Sequence, residues 1–160
     1  MLVYVDDEII ASNDSKAISN LISCLNSAFQ LKDLGPLKFF LGLEIARNSK
    51  GIFVSQRKYA LEILDDYGIL AAKLDPVPME PNMKLSREDG DLLIHPTSYQ
   101  RMIGRLVYLT ITRPDISYFV QLLNRFMDSP RKPHLDAANK VLKYLKSSPS
   151  QGIFFFAASV

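Results

Sequence analysis

The sequence predicts an α+β fold: antiparallel β-hairpins covered by helices, then a three-helix subdomain and a terminal strand. Three observations carry this expectation. Short runs of β-branched and aromatic residues come in pairs, separated by turn residues. Each pair is followed by a segment whose apolar residues recur at helical spacing. After a stretch holding Pro76, Pro78, Pro81 and Pro96, the pattern becomes almost wholly helical.

The elements follow in order. Leu2-Val3-Tyr4-Val5 reads as a short buried strand. Asp6-Asp7 interrupts it and Ile9-Ile10-Ala11 resumes, which suggests a hairpin with the acids at its tip. Asn13 or Asp14 can cap a helix over residues 14–30, with Ile18, Leu21, Ile22, Leu25 and Phe29 on one face. Cys24 lies close to that face and is expected to be buried. Gly35-Pro36 marks a turn. Residues 39–46 read as a strand, Asn48-Ser49-Lys50-Gly51 as a reverse turn and Ile52-Phe53-Val54 as the returning strand. Ser55 is placed to cap a second helix, with Tyr59, Ile63, Leu64 and Tyr67 on one face and Gly68 at its end. Residues 75–96, with the acidic turn Glu88-Asp89-Gly90-Asp91, read as a linker running along the surface. Thr97 can cap a helix carrying Met102, Ile103, Leu106 and Val107. Pro114 suits the first turn of a helix over 114–128. Pro133 opens a third, with Ala137, Val141, Leu142 and Leu145 inward. Gly152–Phe156 is the terminal strand. The expected division is 1–72, a linker 73–96, and 97–160.

Composition narrows the class. With 160 residues, 48% hydrophobic and 22% charged, the chain can build a core, and whole-chain disorder is not expected. No apolar run is long enough to span a bilayer, so no membrane partner is expected. Residues 1–5 are apolar but stop at Asp6, Asp7 and Glu8, which is not a signal-peptide pattern. A single cysteine allows no internal disulfide and no CxxC metal pattern. An intracellular setting fits, whether nuclear, cytoplasmic or organellar. Charge is uneven. Residues 1–100 carry 10 Lys+Arg against 14 Asp+Glu, and residues 101–160 carry 9 against 3. A basic last third suits a polyanionic partner, or simply a solvated helical surface.

The chemistry starts at Asp6 and Asp7. Adjacent carboxylates repel, so holding them at a hairpin tip has a cost. A hard divalent ion such as Mg2+, which takes carboxylate and phosphate oxygens, is one compensation. An ordinary acidic turn is the other reading. Arg113, before Pro-Asp, can contact a phosphate or fix a helix start. His134 suits packing or capping, and His95 has no acid/base partner in sight. Tyr99, Tyr108, Tyr118 and Tyr144 suit a core better than base stacking.

The ordered motifs carry a family resemblance. Leu2-Val3-Tyr4-Val5-Asp6-Asp7 resembles the signature hairpin of reverse transcriptases. Lys32-Asp33-Leu34-Gly35-Pro36-Leu37-Lys38-Phe39-Phe40-Leu41-Gly42-Leu43-Glu44 is similar to the segment that follows it in copia-type retrotransposons. Gly51-Ile52-Phe53-Val54-Ser55-Gln56-Arg57-Lys58-Tyr59, Pro78-Met79-Glu80-Pro81-Asn82, Gly104-Arg105-Leu106-Val107-Tyr108-Leu109 and Thr112-Arg113-Pro114-Asp115-Ile116-Ser117-Tyr118 continue in register. Arg125-Phe126-Met127, Pro133-His134 and Val141-Leu142-Lys143-Tyr144-Leu145-Lys146 complete the series.

The resemblance implies a palm-like arrangement for the two hairpins. It implies Asp6 as a metal ligand, Asp7 as a secondary acid beside it, and Mg2+ or Mn2+ as cofactor. Tyr4 would lie near the primer terminus, and the 39–54 hairpin would grip the primer. The basic helices after residue 100 would act as thumb and connection, tracking an RNA/DNA template–primer by its phosphates, with Arg113, Lys140 and Lys143 as candidate contacts.

It also implies an incomplete enzyme. The family's third carboxylate and its fingers lie upstream of the Asp-Asp hairpin, and a ribonuclease H domain follows the region matched here. Glu8 departs from the usual apolar residue after the pair. The expected function is thus a retrotransposon-derived reverse transcriptase fragment, inactive alone. The alternatives are a template–primer-binding module or part of a longer active polymerase. Loss of the upstream strand would expose a sheet edge and favour self-association.

Overall fold

The computed structural model describes residues 1–157 except 6, 30, 81 and 82. The described chain forms two compact units, Met1–Leu41 and Gly42–Val160. Its antiparallel strands and helices make it α+β.

In the first unit, β1 (Leu2–Tyr4) pairs antiparallel with β2 (Asp7–Ile9), in the register Leu2↔Ile9, Val3↔Glu8 and Tyr4↔Asp7. The strand expected to be buried is not: Leu2, Val3 and Tyr4 are each more than half exposed. A ribbon of two three-residue strands has too few neighbours to close a core. Helix α1 (Ser15–Ala28) begins where expected, because the Asp14 carboxylate accepts from the N–H groups of Lys16 at 2.8 Å and Ala17 at 3.2 Å. Yet α1 buries no residue. Ile18, Ile22 and Leu25 are half-buried, and Cys24 is exposed, contrary to expectation. The two-residue strand β3 (Phe39–Phe40) follows. The single strand expected over 39–46 is broken, because Leu41 and Gly42 take consecutive positive φ values of 48° and 75°.

In the second unit, β4 (Leu43–Asn48), β5 (Gly51–Ser55) and β6 (Gly152–Phe156) lie side by side, antiparallel. The Asn48 side chain makes the β4–β5 turn by accepting from Lys50 N–H at 2.8 Å and Gly51 N–H at 3.1 Å. Helix α2 (Arg57–Asp66) is capped at Gln56 rather than Ser55, and the Glu44 carboxylate accepts from Lys58 N–H at 2.7 Å in its first turn. Gly68 ends it at φ +65°, with Ile69 N–H bonded to Leu64 C=O and Gly68 N–H to Asp65 C=O.

Helix α3 (Pro96–Leu109) starts two residues earlier than expected, with Pro96 in its first turn and His95 rather than Thr97 at the cap position. The helix expected over 114–128 resolves into a 3-10 turn, Pro114–Ile116, and α4 (Ser117–Asn124). Helix α5 (Lys132–Ser147) buries Ala137, Val141, Leu142 and Leu145 as its pattern requires. These side chains share one core with Ile63 and Leu64 of α2, Ile103 and Leu106 of α3, and Val120 and Leu123 of α4.

The proline-rich stretch joins that core rather than merely bordering it. Met79 is buried in it, and Met83, Leu85 and Leu93 pack against it. Residues from Gly42 onward therefore share one compact unit with the helices that follow this stretch. Among the described residues, no helix is long and apolar enough to cross a membrane.

Candidate functional site

The first hairpin is built around the Tyr-Val-Asp-Asp run. Tyr4 and Asp7 are register partners at the turn end of the β1–β2 ribbon, and both are exposed. Between them Val5 takes φ +51°, a left-handed conformation that a β-branched residue adopts only under strain. Asp6 lies outside the described residues. Asp7 and Glu8 are neighbours on one strand, so their side chains leave from opposite faces and do not converge on one ion. Among the described residues, no three His, Cys, Asp or Glu side chains cluster to hold a metal. The described residues therefore do not by themselves form the expected Mg2+ or Mn2+ site.

The basic last third behaves differently from its charge count. Arg113 is almost fully buried. Its Nε and Nη2 donate to the two carboxylate oxygens of Asp115 at 2.9 and 2.8 Å, and Nη1 donates to Ser148 C=O at 2.8 Å. The Tyr144 ring lies 5.8 Å from its guanidinium, and the Tyr144 hydroxyl donates to Asp115 at 3.0 Å. Burial pushes the Asp115 carboxyl up, but the hydrogen bonds and charge of Arg113, helped by Tyr144, outweigh it and hold Asp115 below its usual value. Of the two roles expected for Arg113, phosphate contact or helix start, its burial suits the second: it sits at the cap position of the 3-10 turn that leads into α4.

Other cations are engaged as well. Arg105 pairs with Asp66 and sits 5.3 Å over the Tyr59 ring. Arg131 donates to the carbonyls of Arg87 and Gly90 at 2.5 and 2.6 Å. Lys132 pairs with Asp136 at 3.1 Å, and Lys146 donates to Ala72 C=O at 2.7 Å. Lys140, a predicted contact, pairs with Glu80 at 3.6 Å across half-exposed surface. Lys143, also predicted, is half-buried on α5. Among the described residues, Arg101, Arg125 and Lys143 of this third have no ion-pair partner.

The tyrosines divide. Tyr99 is buried and donates to Leu123 C=O at 2.8 Å, and burial pushes its hydroxyl pKa far up. Tyr108 packs edge-on to Tyr59 at 5.2 Å. Tyr118, expected in the core, is instead largely exposed and meets Phe119 edge-on at 5.4 Å. His134 is buried and caps α5, as its position suggested. Sequence reasoning missed two arrangements. One is the Arg113–Asp115–Ser148 cluster, whose signal was the Arg-Pro-Asp string. The other is a pocket of about 440 Å³ lined by Asp66, Tyr67, Thr97, Ser98 and Arg101, whose two halves are too far apart in sequence to be paired by pattern.

Comparison with known proteins gives the family. The family model described as "Reverse transcriptase (RNA-dependent DNA polymerase)" matches residues 1–81. The chain is 44% identical over 154 residues to the retrovirus-related Pol polyprotein from transposon RE1 of Arabidopsis thaliana, covering 96% of this chain and 10% of that protein. It is 33% identical over 166 residues to the corresponding polyprotein from transposon TNT 1-94 of Nicotiana tabacum, covering 97% of this chain and 12% of that protein. It is 36% identical over 156 residues to an uncharacterized mitochondrial protein of Arabidopsis thaliana, covering 96% of this chain and 64% of that protein. The chain thus spans about a tenth of the length of the Pol polyproteins it matches. No solved structure matches. The chain belongs to the reverse transcriptase (RNA-dependent DNA polymerase) family, as carried by the Pol polyproteins of copia-type retrotransposons.

Proposed function

We propose that this chain is the Asp-Asp-bearing portion of an RNA-directed DNA polymerase and is catalytically silent alone. The observation that supports this is the pairing of Tyr4 with Asp7 at the end of a short β-ribbon. That pairing sets Tyr4 and Asp7 side by side beside the turn of a hairpin, from which carboxylates can be aimed at a substrate. In this reading Asp6 is a metal ligand, Asp7 an accessory acid and Tyr4 a neighbour of the primer terminus. Asp6 and Asp7 would help to hold a divalent metal, Mg2+ or Mn2+, which would supply charge stabilisation for phosphoryl transfer. Asp6 and Asp7 join that site only alongside a carboxylate from another part of the polymerase. The palm-like role of the hairpins, and the grip of the 39–54 hairpin on primer, belong to the same proposal.

Primer extension on an RNA template tests it. The chain alone should give no product. Adding the preceding palm and fingers region of a related Pol polyprotein should restore extension, and Asp6→Asn should abolish it. Extension by the chain alone, or complemented extension indifferent to Asp6→Asn, contradicts the proposal.

A second reading is a template–primer-binding module. The exposed cations Arg101 and Arg125 favour it, with Lys140 and Lys143 on α5 as further contacts. Arg113 leaves that set because it is buried. Binding to an RNA/DNA duplex should then fall steeply with salt and survive Asp6→Ala. Salt-insensitive binding counts against it.

A further inference from the structure

The start of α5 is held by an unusual cap. In the common capping box, a Glu or Gln at the third helical position reaches back to the cap N–H. Here His134 takes that role: its Nδ1 accepts from Arg131 N–H at 3.0 Å. An Nδ1 that accepts carries no proton, so the ring proton sits on Nε2, which donates to Ser86 C=O at 2.9 Å. The ring is fully buried and stacks on Phe126 with centroids 3.9 Å apart. One neutral tautomer satisfies both nitrogens, and each bond reaches a different segment of backbone.

The segment that His134 reaches is the one expected as a linker along the surface. Four more bonds tie it to the same helix start. Arg131 donates to the carbonyls of Arg87 and Gly90, Lys132 N–H donates to Asp91 C=O at 2.9 Å, and Leu93 N–H donates to Pro130 C=O at 3.0 Å. Gly90, at φ +76°, lets the backbone approach so closely that an added Cβ would stand 2.7 Å from Pro133 Cδ. These contacts all converge on residues 130–134.

We propose that residues 84–93 form an acid-releasable strap across the start of α5, with the neutral His134 ring as its pin. Protonation places a hydrogen on Nδ1, facing the Arg131 N–H that it had accepted. The cap bond is lost, and a buried cation then lies near Arg131. Burial disfavours the charged ring first. The Ser86 carbonyl favours it, and the Arg131 charge again disfavours it, leaving the imidazole below its ordinary value. The other charged groups nearby are accounted for. Arg87 pairs with Asp128 at 3.2 Å and donates to Arg125 C=O at 3.1 Å, Lys132 pairs with Asp136, and Glu88, Asp89 and Asp91 are exposed. A depressed folded-state pKa means that this contribution is complete above the unfolded imidazole value of about 6.5 and is lost as pH falls through the folded value.

The test is amide hydrogen exchange at Leu93 and Lys132, corrected for intrinsic rate, between about pH 7.5 and pH 5. In the wild-type chain, exchange should accelerate on acidification, by up to about tenfold for each unit separating the folded from the unfolded pKa. His134→Gln keeps an acceptor at the third helical position but cannot be charged, so its exchange should stay flat. Nitrogen-15 spectra of the wild-type imidazole should show the neutral Nε2–H tautomer at neutral pH. A flat wild-type profile, the same acceleration in His134→Gln, or an Nδ1–H or charged ring at neutral pH would each overturn the proposal.

Discussion

The unit Met1–Leu41 carries the acidic pair and buries almost nothing, whereas the unit Gly42–Val160 buries the core. Phe40 is the one buried residue of the first unit among those described. Helices α1 and α5 sharpen the contrast. Both are amphipathic, and α1 has the better N-cap, yet α1 buries no residue and α5 buries six. The difference lies in what each helix meets. Helix α5 faces α2 and α4, while the strands described in the unit of α1 are two or three residues long. Periodicity specifies a helix and its apolar stripe, but the stabilisation comes from the surface that covers the stripe.

The largest expected effect lies in the second unit. Arg113→Ala leaves the Asp115 carboxylate, three-quarters covered, without its cation and should cost about 3 kcal/mol or more by urea denaturation. Asp115 contributes stability above its ordinary pKa of about 3.8 that is lost as pH falls through its lowered folded value. The variant should therefore lose part of the wild type's acid-induced destabilisation. Next comes a matched pair of truncations. Ile63→Ala removes a fully buried side chain and should cost about 2–5 kcal/mol. Ile22→Ala, on the half-buried face of α1, should cost less than about 1 kcal/mol. Equal costs would erase the contrast between the units.

Smaller effects probe the first unit alone. Asp14→Ala removes the α1 cap and should lower α1 helicity by about 1 kcal/mol, read from amide exchange at Lys16 and Ala17. Val5→Gly relieves about 1–2 kcal/mol of left-handed strain but adds about 0.5–1 kcal/mol of chain entropy. The net should be a gain of roughly 0.5 kcal/mol in the β1–β2 ribbon, visible as stronger cross-strand contacts between Val3 and Glu8.

Much of the second unit could be read from the sequence because local signals and tertiary packing agree there. Ala137, Val141, Leu142 and Leu145 mark a stripe that is buried, Gly68 is placed where a left-handed residue must end α2, and Gly152–Phe156 is a strand of the expected extent. Hidden features depended on distant partners. Met79 sits among prolines and offers no periodicity, yet α2, α3 and α5 leave a place for it in the core. Cys24 lies close to an apolar stripe that is only half-buried, and it stays exposed. Arg113 counted toward a basic surface, but its carboxylate partner two residues on took it inside. Leu41 gave no warning of the positive φ that breaks the strand before Gly42. Of the candidate site, the Tyr4–Asp7 hairpin was legible, whereas the internal use of the basic residues was not.

The most direct test follows backbone amides of α1 and α5 separately through a urea titration of the intact chain, using Ile22 and Val141 as reporters. A unit that presents the acidic hairpin without a core of its own predicts two transitions, with Ile22 losing its structured signal at clearly lower urea than Val141. A single coincident transition for both amides would contradict that account, since the motif-bearing unit would then share the stability of the core.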